Sequence, residues 1–306
     1  MKAYINEIGK DEIRSGFLVT TDRKKVWQKL LELYMEVDRI CRKYDIPYFV
    51  VYGTMMGAVR HKGFIPWDDD IDVAMMRPDY MRFIKVASQE IKSPYFLQNV
   101  YTDNRIINWT KLMDDRTSAI DDWSTDCFHQ GIFVDIFPMD AVADGTDRGL
   151  LIDEMCKELW MCVITPQMVE DSLKKGVSTH VASHTLERII GMSLLDRLKV
   201  YEDFCVKHFD DSSKVAFQMS YWNNRSKPVR KVACDGITYM DYEKIKVPIP
   251  AGYDELLTEV FGNWRVPVHS PSSHEGIVMS ADIPYDVMLK NINRELLEIG
   301  DYLWKW

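Results

Sequence analysis

Residues 68 to 72 of the chain read Asp-Asp-Asp-Ile-Asp. Carboxylates this close along one backbone repel one another. A fold keeps them only where water, cations or a coordinated metal offsets the repulsion. The flanking residues narrow the choice. Tyr48 to Tyr52 (YFVVY) is β-branched and aromatic and reads as a strand. It runs directly into Gly53-Thr54 and a short helix through Arg60, followed by the basic Arg60-His61-Lys62 run and a Pro66-Trp67 turn. Ile71 to Met76 reads as a second strand with Asp70 and Asp72 at its start. Arg77-Pro78-Asp79 then opens a helix to about Ile91, with Pro78 suited to its first turn. Residues i and i+2 of a strand share a face, so Asp70 and Asp72 project together. Two simpler accounts compete. One is a solvated acidic loop. The other is an EF-hand, which fits poorly because Val73 stands where its glycine is required and strand signals flank the loop.

A further carboxylate lies downstream. Gly131 to Pro138 (GIFVDIFP) is the most apolar strand candidate, and Asp135 sits in its middle. Burying a lone carboxylate among Ile, Phe and Val is costly unless a cation or hydrogen bonds compensate. Asp70, Asp72 and Asp135 together make a candidate catalytic metal site for one or two Mg2+ ions, with Mn2+ as an alternative. Gly53-Thr54, between a strand and a helix N-terminus, can cradle a phosphate. Arg60, Lys62 and Lys111 are candidates to neutralise phosphate charge.

The rest of the chain sets the frame. The 306 residues carry a net charge of -9, which disfavours nucleic acid as a partner. No apolar run approaches the ~20 residues that span a bilayer, which leaves only peripheral membrane contact open. The first residues lack the apolar core of a signal peptide, and a cytoplasmic location is expected. Six cysteines without a CxxC pair read as reduced core residues. Residues 1–21 form an arm, and a helix starts near Asp22, its expected N-cap, with Val26, Leu30, Leu33, Val37 and Ile40 at helical spacing. Tyr95–Tyr101, Ile106–Met113 and Arg116–Ile120 are strand-like. Residues 146–210 read as helices, with a break near Pro166. Val215–Ser220 reads as a strand, residues 245–264 as strand, turn and helix, and 265–283 as loop. Pro284 to about Leu303 is a last helix. The expected class is α+β: a small mixed sheet flanked by helices, with a mostly helical C-terminal part. Residues 22–140 form the catalytic core. Residues 141–306 pack on it and complete the substrate site.

The run Gly53-Thr54-x-x-Gly57-Ala58-x-Arg60, leading into Pro66-Trp67-Asp68-Asp69-Asp70-Ile71-Asp72, resembles the hallmark of the LicD family. Its members include phosphocholine transferases, fukutin and the fukutin-related protein. The GIFVDIFPMD segment, Lys111-Leu112 with Thr117, and VPIPAGYDELLTEVFGNW with the prolines and His274 beyond it extend the resemblance over most of residues 22–275. Met55-Met56 depart from the usual leucines, and Asn263 stands where an acidic residue is common. The resemblance implies a nucleotidyltransferase fold in which Gly53-Thr54, Asp70 with Asp72, and Asp135 are the three working parts. Asp68 and Asp69 shape the loop, and His274 is a substrate contact. It implies metal-dependent transfer of a phospho-substituent from a CDP-linked donor, CDP-choline or CDP-ribitol, with CMP released. The acceptor is a sugar hydroxyl of a glycan or glycolipid-linked precursor, in lipopolysaccharide, teichoic acid or capsule synthesis. Two other readings keep the residues but change the role: a nucleotidyltransferase that uses an NTP and releases pyrophosphate, or a module that binds a CDP-ligand or metal without turnover. If the donor carries choline, an aromatic cage is expected, drawn from Trp109, Trp123, Trp222, Trp264 or Tyr221.

Overall fold

A computed structural model describes residues 3–103, 105–121, 128–269 and 276–291. Its first long element is the helix Thr21–Tyr44, whose buried face carries Trp27, Leu30, Leu31, Leu33, Tyr34, Val37 and Ile40. Thr20, not Asp22, is the N-cap: its hydroxyl accepts the Arg23 backbone N–H at 3.2 Å. Asp22 lies in the first turn, where its charge opposes the helix dipole's positive end. Ahead of the helix, the expected arm is a small hairpin of Glu12–Arg14 and Phe17–Val19.

The helix covers a seven-stranded mixed sheet. At its centre Ile132–Ala141, buried at every residue, pairs in parallel with Asp72–Met76 and antiparallel with Thr110–Asp114. Phe49–Val50 flanks Asp72–Met76, and Tyr95–Gln98 flanks Thr110–Asp114. The far end of the central strand pairs with Lys214–Ala216, which in turn pairs with Val229–Arg230. Strands from beyond residue 141 therefore extend the sheet. The class is α+β, as expected.

The helices Asp147–Ile164, Ser183–Ile190 and Leu194–Lys207 enclose a second apolar cluster around Cys156, Trp160, Leu186, Leu198 and Tyr201. Cys41, Cys156, Cys162, Cys205 and Cys234 are buried and reduced, and Cys127 lies outside the described residues. Among the described residues no helix is long and apolar enough to cross a membrane.

Three local differences have clear causes. Val215–Ser220 divides into the strand Lys214–Ala216 and the helix Gln218–Trp222. Val278–Ser280, expected as loop, pairs with Ser118–Ile120. Ile237–Tyr242, not expected as a strand, forms a hairpin with Ile245–Pro250 and is exposed at most positions, so it shows no alternating pattern. Of the last helix, residues 285–291 are helical, and the rest lies outside the described residues, with Trp304 and Trp306.

Candidate active site

Asp72 opens its strand and lies opposite Asp135 on the parallel neighbour, and Lys111 lies opposite Asp135 on the other side. Residues paired across neighbouring strands share a face. Asp72, Asp135 and Lys111 therefore form one row across three adjacent strands, each at most 7% exposed. The Lys111 Nζ is 3.8 Å from Asp135 Oδ1, and the Trp109 indole N–H donates to the same oxygen at 2.7 Å. Asp70 reaches the row from the preceding loop. Asp68, Asp69 and Asp70 each offer a carboxylate oxygen, all within 4.8 Å of one another. The loop is pinned from below, where Arg23 Nη1 and Trp27 Nε1 each donate to the Asp68 carbonyl at 2.9 Å.

The electrostatics follow from this crowding. Burial, then the charges of Asp70, Asp135 and Asp68, push the Asp72 carboxyl well above its ordinary pKa, with Lys111 opposing. Burial and Asp70, with Asp69, raise Asp68 as well. Burial lowers Lys111, and Asp135 acts against that. Hard oxygen donors that raise one another's pKa are chemically suited to a divalent cation such as Mg2+.

Asp72 and Asp135 open into a cleft of about 550 Å³ that is continuous with solvent. That is the size of an ordinary small-molecule pocket, ~300–1,000 Å³, open at one side to solvent. Gly53 lines the cleft, and a Cβ there would lie 2.5 Å from Asp68 Oδ2. Gly53→Ala should displace the Asp68 carboxylate and lower turnover by about 10²-fold. The melting temperature should hardly change, because only a side chain at the cleft edge gives way. Steady-state kinetics beside a thermal melt checks this.

Other expected substrate contacts fall differently. Thr54 is fully buried, and its hydroxyl accepts the Asp72 backbone N–H at 2.9 Å. This tie positions Asp72, and Thr54 is not part of the cleft lining. The cause is that the helix already begins at Tyr52, which turns Thr54 inward. Lys62 is the left-handed C-cap of that helix and is exposed in a separate pocket with Arg14 and Glu243. It stands apart from the carboxylates. Arg60 does line the cleft, and its Nη1 donates to the Trp264 carbonyl at 2.6 Å. Lys111 stands behind Asp135, outside the cleft lining. His274 and Trp123 lie outside the described residues. Trp222 bonds to Asp153, away from the row.

Two cleft residues, Arg225 and Tyr52, were not expected as site residues. Trp109, expected only as a cage candidate, holds Asp135 from outside the cleft lining, two positions before Lys111. Arg225 lines the cleft from a stretch without a motif, and among the described residues its guanidinium has no ion pair. Tyr52 joins strand to helix with φ 49°, a left-handed conformation unusual for a bulky residue.

Residues 45–161 match the family model described as LicD/FKTN/FKRP, nucleotidyltransferase domain. The chain is 29% identical over 239 residues to the lipopolysaccharide cholinephosphotransferase LicD of Haemophilus influenzae, covering 74% of this chain and 84% of that protein. Shorter matches of 60 residues, 38% and 37% identical, link it to uncharacterized proteins of Rickettsia typhi and Rickettsia prowazekii. The family match spans Asp70, Asp72, Lys111 and Asp135, the residues that the sheet brings together. Over residues 45–161 the chain is thus similar to the LicD family's nucleotidyltransferase domain.

Proposed function

We propose that the chain transfers phosphocholine from CDP-choline to a sugar hydroxyl of a lipopolysaccharide or related glycan, in the cytoplasm, and releases CMP. The observation that carries this is the pairing of Asp72 with Asp135 in the lining of an open cleft, with Lys111 behind Asp135. Likeness to the Haemophilus cholinephosphotransferase supports the choice of group.

Asp70, Asp72 and Asp135 would hold Mg2+, which when bound polarises phosphate oxygens and lowers the pKa of a hydroxyl. The acceptor oxygen forms a bond to the choline-bearing phosphorus, and the bond from that phosphorus to the CMP oxygen breaks, with the electron pair leaving on CMP. The hydroxyl proton passes to Asp135, whose Oδ1 is fixed by Trp109. Lys111 balances that carboxylate. Arg60 and Arg225 face the cleft and would hold the donor's phosphates. Asp68 closes the loop against Gly53.

The test presents CDP-choline, CDP-ribitol and CTP separately, each with Mg2+ and lipopolysaccharide. CMP from CDP-choline is expected. CMP from CDP-ribitol alone would move the chain to the other donor class, and pyrophosphate from CTP would overturn phospho-substituent transfer.

The raised carboxyls add a pH signature. With pKa values above those of the unfolded chain, Asp68 and Asp72 stabilise the metal-free fold in their neutral forms. That contribution is present at low pH and lost as pH rises through the raised values. A divalent cation demands the ionised forms. The rise in melting temperature caused by Mg2+ should therefore grow as pH rises through the raised values and shrink as pH falls. A magnesium shift that does not vary with pH contradicts the assignment.

A further inference from the structure

We infer that the aromatic wall beside Asp135 seats the donor's quaternary ammonium group and so selects what is transferred. This rests on the phosphocholine reading of the same cleft and adds the residues that choose the group.

Asp135 and Phe137 are two residues apart on one strand and share a face. Ala74 lies opposite Phe137 just as Asp72 lies opposite Asp135. An apolar row thus runs beside the carboxylate row, about 7 Å along the strands. Around it, Tyr52 meets Phe137 edge-on with ring centroids 5.8 Å apart. Phe217 packs 4.6 Å from Phe137, and Trp109 lies 6.1 Å away. Tyr52 and Phe137 line the same cleft as Asp70, Asp72 and Asp135.

Phosphocholine has matching proportions. A two-carbon bridge joins its phosphate to its trimethylammonium, so a phosphate held at the carboxylates carries the cation to the neighbouring row. A trimethylammonium has no N–H to donate. It is bound by ring faces and by nearby negative charge, and this wall supplies both. The wall offers little to a polyol. The Trp109 N–H is committed to Asp135, and the Tyr52 hydroxyl lies against those of Ser220 and Ser226. Ribitol hydroxyls turned toward the Phe137 ring would lose their hydrogen bonds to water without replacement.

Tyr52 adds an independent observation. Its φ of 49° is a conformation that glycine adopts without strain, so the backbone alone gives no reason for a tyrosine. What the tyrosine adds is a ring that closes the wall against Phe137. Lys111 marks the other limit: its ammonium lies 6.0 Å from the Trp109 ring centroid, which places the donor's cation on the Tyr52–Phe137 side.

The test compares kcat/KM for CDP-choline with that for CDP-3,3-dimethylbutanol, the same shape with carbon in place of the charged nitrogen. The wild-type protein should prefer the charged donor by about tenfold or more. Phe137→Leu and Tyr52→Leu should bring the ratio close to one. Both donors are read on one protein, so a general loss of fold lowers both rates and leaves the ratio where it was. Equal rates for the two donors in the wild type, or an unchanged ratio in both variants, would overturn the ammonium site and leave phosphocholine transfer standing. CMP from CDP-ribitol with none from CDP-choline would overturn both.

Discussion

Asp135→Asn should lower kcat/KM for CMP release by about 10³-fold while the protein melts at the same temperature or higher. The substitution keeps the side chain's size and leaves an oxygen for the Trp109 N–H, now 2.7 Å from Asp135 Oδ1. What it removes is one negative charge from a cluster in which Asp72 is already raised by Asp70, Asp135 and Asp68. In the metal-free protein this relieves repulsion, which is why stability should not fall. On the proposed mechanism it removes a metal ligand and the proton acceptor together. The stabilisation by Mg2+ should weaken in the same variant. Turnover within tenfold of the wild type would remove Asp135 from the chemistry, whatever its place in the row.

Arg77→Met should cost about 3–5 kcal/mol of stability without touching the cleft. The Arg77 guanidinium donates to both Asp140 oxygens, at 2.6 and 2.7 Å, and both side chains are 1% exposed. The pair ties the end of the Asp72–Met76 strand to the central strand. Removing the arginine leaves Asp140 charged and buried without a partner, and that uncompensated charge supplies most of the loss. Replacing both residues, as Arg77→Met with Asp140→Leu, should recover much of it, because two apolar side chains need no solvation. Thermal or denaturant unfolding of the two variants separates the outcomes. A double variant no more stable than Arg77→Met would show that the pair contributes more than mutual neutralisation.

These two aspartates show how far the sequence could be read. Asp135 and Asp140 stand five residues apart in one apolar segment, GIFVDIFPMD. Strand periodicity and the cost of a lone buried carboxylate were enough to single out Asp135 and to pair it with Asp72. The partner of Asp140 is 63 residues away, at the start of a helix, and no local pattern links the two. The same limit explains Thr54 and Lys62. Their residue types suit a phosphate, but their directions depend on the helix starting at Tyr52 and ending in a left-handed turn at Lys62. A shift of one residue at such a start turns a side chain from cleft to core. Trp109 and Arg225 were hidden for another reason. A tryptophan at a strand end reads as packing, and an arginine in a stretch without a motif reads as surface. Only the pairing of Lys111 with Asp135 brings Trp109 to that carboxylate, and only the fold of residues 214–230 brings Arg225 to the cleft.

The central claim is that this cleft moves a phosphocholine group intact from a CDP-linked donor to a sugar. Phosphorus-31 NMR of the protein with CDP-choline, Mg2+ and lipopolysaccharide follows every phosphorus atom at once. The account predicts that the two coupled diphosphate signals decay together. In their place should rise the phosphomonoester signal of CMP and, in equal amount, a new phosphodiester signal on the glycan. Diphosphate signals that persist beside unchanged glycan, or that decay to CMP and free phosphocholine with no phosphodiester on the sugar, would contradict it.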